Sequence, residues 1–392
     1  MPQRLLTFPA EQLGTFVSEA WSAFRGASLY REVPPLELRL GLLGQAVLDR
    51  TFKLATSLAV GVPLPAQVRG MFEEAAEMRA FFEEMGWIDD PAAYHRTPPP
   101  VDDFELTDEA IWAGVRRWRY QELSFESEFE PHVGEPGREA WMSNEKNGRV
   151  AAYILEHEGP PRPWIVGVHG FAMGTPLISS MGFPLKMLHE TLGLNVALPV
   201  MPLHASRSSS RFSGGDVLDA NYVQMIHLFS QGTWDTRRIL SWIRARGGEQ
   251  IGLYGISMGG YISSLVAGME DDLEAVVTSI PMVDFPTAAQ DNMPWIMRRY
   301  DDEFEMDWEI VRAISHVVSP LTFHPRLPKN RRFIFAGIAD RVVRPDQPRA
   351  LWRHWGEPEI EWFSGGHVLG VFEKSLEPFL EGALRRSGLV HE

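Results

Sequence analysis

Residues Ile251 to Met269 read IGLYGISMGGYISSLVAGM, and this stretch decides the fold. Its first six residues are apolar or aromatic apart from glycine, the length of a buried strand. Gly255-Ile256-Ser257-Met258-Gly259 follows, and Gly260 opens a helix-forming run. A strand that passes into a helix through G-x-S-x-G presents its serine at the sheet edge on a sharp, strained turn. Side chains at 255 and 259 would collide with the neighbouring strand and helix, which accounts for both glycines. Ser257 is therefore the expected nucleophile.

A hydroxyl attacks poorly until a base takes its proton and a carboxylate fixes that base. Both groups are expected downstream, each after a strand. RRFIFAGIADRVVRP carries a strand to Ala336 and reaches Asp340 in a short loop, and EIEWFSGGHVLG carries one to Phe363 and reaches His367. Asp284, after the preceding strand, is the rival carboxylate, with a helix cap as its plainer reading. His354 is the rival base, but LWRHWG is helix-like, whereas Gly365-Gly366 lets a loop carry His367 over the sheet edge. The developing oxyanion needs preorganised N–H donors. The strand Trp164–Val168 runs into His169-Gly170-Phe171, which supplies the backbone N–H of Phe171 to pair with that of Met258.

Outward from this centre, strand-like runs at about 122–129, 149–156, 194–198 and 273–279 join those already quoted, and helical stretches such as Tyr222 to Arg246 alternate with them. The expected class is α/β, a mainly parallel central sheet flanked by helices. Roughly fifty residues separate Ser279 from Arg332, enough for a helical lid insertion at about 281–330. Before the sheet, apolar residues recur at helical spacing from Pro9 to Trp87, breakers crowd Asp89 to Pro100, and Asp108 to Tyr120 reads as a last helix. The expected division is an N-terminal helical region, 1–120, and a catalytic domain, 121–392. The N-terminal helices are expected to cap the site, with a homo-oligomer or a membrane-surface role as alternatives.

The chain has 392 residues and a formal charge of -15, a sign that repels phosphate backbones, so nucleic acid is not an expected partner. No cysteine is present, which removes thiol nucleophiles and disulfides. The opening MPQRLLTFPAEQLG has no secretory pattern and no apolar run approaches a membrane span, so the expected location is the cytoplasm. Phosphate-cradling, zincin and dinucleotide-binding motifs are missing, so no cofactor or metal is expected. The loop PVMPLHASRSSSRFSGGD and the insertion supply candidate substrate contacts: His204 and Arg207, with His169 and Trp295 beside them. Met297 and Trp308 either join an apolar pocket or pack lid against core.

Taken together, the His169-Gly170 turn, the Gly255 to Gly259 elbow, the Gly337-Ile338-Ala339-Asp340 loop and Gly365-Gly366-His367 resemble the α/β-hydrolase superfamily over about Glu122 to Leu389. Within it they look like the esterase, dienelactone-hydrolase and acyl-peptidase branches, and like abhydrolase-domain proteins implicated in lipid deacylation. The resemblance implies cofactor-free hydrolysis of a small-molecule ester or related acyl bond through an acyl-enzyme. Acyl transfer or peptide cleavage by the same groups, or a non-catalytic ligand receptor on the same fold, are the alternatives.

Overall fold

Nine strands form one sheet in the order β1-β2-β3-β5-β4-β6-β7-β8-β9. They are β1 (Glu105–Ala113), β2 (Arg116–Glu126), β3 (Arg149–Leu155), β4 (Trp164–Val168), β5 (Asn195–Pro199), β6 (Ile251–Ile256), β7 (Ala275–Ser279), β8 (Arg332–Gly337) and β9 (Glu359–Phe363). The computed structural model describes residues 30–36, 42–60, 64–293 and 307–391. From β5 across to β9 every neighbouring pair is parallel, and β1, β2 and β3 extend the sheet antiparallel.

The helices that matter below are α1 (Leu42–Val60), α2 (Pro65–Glu84), α3 (Pro176–Gly182), α4 (Tyr222–Ala245), α5 (Met258–Ala267), α6 (Phe285–Asn292), α7 (Trp308–His316), α8 (Asp346–His354) and α9 (Leu376–Arg386). Because side chains alternate along a strand, β6 sends Ile251 and Leu253 to one face and Tyr254 and Ile256 to the other. The first face packs against Phe229 of α4 and Leu265 of α5; the second packs with Phe379 and Leu380 of α9. Both faces of the parallel strands are thus covered, which is why every residue of β4 to β7 is buried and most are apolar. Each aliphatic side chain so buried contributes roughly 1.5–3 kcal/mol.

The helix expected at Asp108 to Tyr120 is instead a β-hairpin. Ala113 pairs with Arg116 across a two-residue loop, with Gly114 at φ +63°. A positive φ at the first loop residue suits hairpin twist, so the glycine marks a turn rather than a helix interior. Pairing along β3 and ion pairs from Arg149 to Glu105 and Glu126 override the helix preference of Glu, Ala and Arg. The sheet therefore takes in residues before position 121.

The N-terminal helices pack on the sheet domain. Val68, Ala75, Met78 and Phe82 form the buried face of α2. Phe72 meets Tyr222 and Trp308 edge to face at 5.1 and 5.6 Å. Trp308, from the segment expected to form a lid, thus packs against α2 and α4. Trp295 and Met297 lie outside the described residues.

Candidate active site

The parallel strands all end on one edge, and the segments leaving β4, β6, β8 and β9 meet there, the usual ligand crevice of such sheets. Beyond the strands, Ile338 N–H donates to the Phe363 carbonyl (2.9 Å) and Ala339 N–H to that of Gly365 (3.0 Å), so the β8 and β9 loops stay zipped together.

Ser257 sits between β6 and α5 at φ 54°, ψ -113°, a backbone conformation that costs about 1–3 kcal/mol for a residue with a side chain. Its N–H donates to the Ser279 carbonyl (2.9 Å), and its own carbonyl accepts from Tyr261 (3.2 Å) and Met282 (3.3 Å). Packing on both sides explains the glycines. A Cβ on Gly255 would strike the Gly259 carbonyl, and one on Gly259 would strike the Val168 carbonyl of β4.

His367 Nε2 lies 3.0 Å from Ser257 Oγ, and His367 Nδ1 lies 2.6 Å from Asp340 Oδ2. With Nδ1–H donating to the carboxylate, Nε2 is left to accept the serine proton. Asp340 Oδ1 accepts from Val342 and Val343 N–H (2.9 and 2.7 Å), which fixes the carboxylate from behind. Burial lifts the Asp340 carboxyl above its usual range, opposed by the His367 ring and the Val343 N–H, with Asp49 adding to the lift. Burial disfavours a charged His367, but Asp340 and Asp49 outweigh it and raise its pKa above the usual 6.5.

Gly170 runs beside this group; a Cβ there would stand 3.3 Å from Ser257 Cβ. Phe171 and Met258 both line the cavity over Ser257. Met258 opens α5, so its N–H has no partner inside the helix and lies at the positive end of the helix dipole.

No protein-family model matches the chain. The uncharacterized protein MT2702 of Mycobacterium tuberculosis is 36% identical over 390 residues, covering 97% of this chain and 91% of the relative. The chain belongs to the same family as that mycobacterial protein. Among solved structures, acetyl xylan esterase 1 of Thermoanaerobacterium sp. aligns with 79% of this chain and 93% of its own at TM-score 0.52 and 15% identity. An acetyl xylan esterase of Paenibacillus sp. aligns with 80% and 95% at 0.50 and 13%. At that identity they establish the α/β-hydrolase fold.

The cavity above Ser257 and His367 measures about 500 Å³. Its walls come from α1 (Phe52, Thr56), α3 (Ile178, Met181), α6 (Phe285, Ala288) and the loop after His367 (Val371, Phe372). Ser257 shares this lining with two other non-glycine residues at positive φ, Ala172 and Ile280 (62° and 46°). For a β-branched residue such as Ile280 that conformation is an outlier, and strain of this kind collects at functional sites.

Other expected contacts fall elsewhere. His169 is buried beneath the cavity: its Nδ1–H donates to the Gly170 carbonyl (2.8 Å) and its Nε2 accepts from Met201 N–H (3.0 Å). Burial, with His204 nearby, holds its pKa down to about 3, so the ring is a neutral strut between the β4 and β5 loops. His204 is equally buried, with Nδ1 on the Pro202 carbonyl (2.8 Å). Neither lines the cavity. Arg207 pairs with buried Asp235 at 2.8 Å, so it too is structural. Asp284 caps α6 by accepting from Thr287 N–H (3.1 Å), and His354 bonds the Phe323 carbonyl (2.9 Å). Among the described residues no group of three His, Asp or Glu side chains could hold a metal ion, and no helix is long and apolar enough to cross a membrane.

The N-terminal helices were expected to cap the site with none of their residues singled out; Phe52, Lys53 and Thr56 of α1 line the cavity. Buried Asp49 touches the loops of both Asp340 and His367. The available signal was spacing: Gln45, Asp49, Lys53 and Thr56 recur at three and four residues along one helix face.

Proposed function

We propose that the protein is a serine hydrolase that cleaves carboxylic esters with an apolar acyl group. The observation that supports this is the relay from Ser257 Oγ to His367 Nε2 (3.0 Å) and from His367 Nδ1 to Asp340 (2.6 Å), set at an apolar cavity. In this reading Ser257 Oγ attacks the ester carbonyl while His367 Nε2 takes its proton. Asp340 holds the ring and stabilises the imidazolium. The carbonyl oxygen becomes an oxyanion that accepts from the N–H groups of Phe171 and Met258; one such donor is worth about 3 kcal/mol of barrier. Collapse breaks the carbon–oxygen bond, the alcohol leaves with the proton from His367, and the acyl group remains on Ser257. Water, deprotonated by His367, then attacks that carbonyl and releases the acid.

An ester suits the cavity better than a peptide. Its polar side chains are few, and each unpaired peptide N–H or carbonyl buried there would cost about 1–3 kcal/mol.

Labelling with a fluorophosphonate tests the reading. The wild type is expected to gain one covalent adduct, seen by intact mass, and to hydrolyse p-nitrophenyl esters; Ser257→Ala is expected to do neither. Folded wild type that takes no label would overturn it and bring a ligand receptor forward.

A further inference from the structure

The loops that carry Asp340 and His367 are tied to α1 as well as to the sheet. Asp49, 1% exposed, accepts three backbone N–H groups from them. Its Oδ2 takes those of His367 (2.8 Å) and Arg341 (3.1 Å), and its Oδ1 takes that of Val368 (3.0 Å). One turn earlier Gln45 Oε1 accepts from Gly366 N–H (2.8 Å), and one turn later Lys53 Nζ donates to the carbonyls of Arg341 (3.2 Å) and Asp291 (3.0 Å). A single face of α1, at four-residue steps, therefore holds the loops after β8 and β9 and the end of α6.

The two glycines before His367 are shaped by this contact. A Cβ on Gly366 would stand 2.7 Å from Asp49 Oδ2, and one on Gly365 would stand 2.7 Å from Gln45 Oε1. Either side chain would lift the histidine loop off the helix.

We infer that Asp49 is a positioning residue for the acyl transfer proposed above: its carboxylate fixes the His367 loop against the Asp340 loop, and its charge favours the imidazolium formed when Ser257 attacks. The inference rests on the Ser257–His367–Asp340 reading. A carboxylate is required for geometric as well as electrostatic reasons. An amide in its place would turn an NH2 donor toward at least one of the three N–H groups, leaving that donor unpaired inside the protein. The charged groups that bear on the ring are Asp340 from the β8 loop and Asp49 from α1. Lys53 and Arg341 adjoin them through the Arg341 carbonyl. Both carboxylates push the His367 pKa upward.

The test compares wild type with Asp49→Asn and Gln45→Ala in the full chain. It follows the His367 ring by proton–nitrogen NMR across pH and p-nitrophenyl ester turnover across the same range, with a thermal melt as the check on folding. In Asp49→Asn the ring is expected to titrate at lower pH, the acid limb of kcat/KM to move down with it, and kcat to fall about tenfold, one unit of log rate, with KM little changed. In Gln45→Ala, which frees one neutral tie and removes no charge, kcat is expected to fall less and the acid limb to stay in place. A folded Asp49→Asn protein with wild-type ring titration and kcat overturns the inference. Should that variant unfold, a Gln45→Ala protein with wild-type kcat overturns it instead. Failure of the hydrolase reading is seen separately, as loss of Ser257-dependent labelling in the wild type, and the ring titration still reports whether Asp49 acts on His367.

Discussion

The cavity makes acyl-chain length the most informative perturbation. Its volume of about 500 Å³ falls within the range of small-molecule sites, and its walls are largely aliphatic and aromatic, with Ile178, Met181, Phe285 and Phe372 among them. Each methylene moved from water into such surroundings gains about 0.8 kcal/mol, roughly a fourfold step in kcat/KM when the gain is realised in the transition state. Acetyl and hexanoyl esters differ by four methylenes, about 3 kcal/mol or on the order of 200-fold. The assay is initial-rate hydrolysis of p-nitrophenyl esters at concentrations below KM, from acetyl upward. A matched variant, Ala288→Phe, places a ring in the wall contributed by α6. It is expected to erase the gain for long chains while leaving acetyl hydrolysis within about threefold of wild type, well under the ~3 kcal/mol carried by the chain. A profile that peaks at acetyl and declines with length, or a folded Ala288→Phe protein with the wild-type profile, would refute the reasoning that the acyl group occupies this cavity.

Two further expectations concern pH. In the proposed mechanism His367 must be neutral to accept the serine proton, and its pKa lies above 6.5, so kcat/KM for an ester is expected to fall as pH drops through a midpoint above 6.5; a midpoint at or below that value contradicts the raised imidazolium. Glu135 is buried beside Tyr94, and burial pushes its pKa up to about 7, against hydrogen bonds from His132 N–H and the Tyr94 hydroxyl that lower it. The unfolded chain releases that proton near 4.5 and the folded chain near 7, so this group costs stability progressively as pH rises between those values, up to about 3 kcal/mol. Denaturant melts of Glu135→Gln are expected to show that loss removed relative to wild type, and parallel stability curves for the two proteins across the window would contradict it.

The meeting of Ser257, Asp340 and His367 was legible because each leaves a strand at the same sheet edge, in a chain order and glycine context that carry physical meaning one residue at a time. His169 and His204, expected as substrate contacts, are buried and off the cavity lining, although a histidine in a loop after a strand looks exposed. Whether the loop turns the ring outward or inward depends on partners such as Met201 N–H, which arrives from a different strand. The hairpin at Glu105 to Glu126 was obscured by residues that favour helices, although Gly114 stood in the middle of the expected helix as evidence against it. Trp308 could pack or bind by sequence alone, and its contacts with Phe72 and Tyr222 are set by α2 and α4, more than sixty residues away.

Asp49 marks a deeper limit. Its bond to His367 joins positions 318 apart, and nothing in a single acidic residue on a helix says which loops it will meet. The Gly365-Gly366 pair did carry half of that information, but under another physical reading, as freedom for a loop to swing a histidine over the sheet. The structure gives the same glycines a second cause, since the absent side chains are what let α1 approach closely enough for Asp49 and Gln45 to seize the loop's N–H groups. A glycine kept for mobility predicts a loose loop, whereas one kept for close approach predicts a rigid loop with a partner pressed against it. Five hydrogen bonds between α1 and residues 341 and 366–368 favour the second, and so the helix shapes the candidate site as much as the strands do.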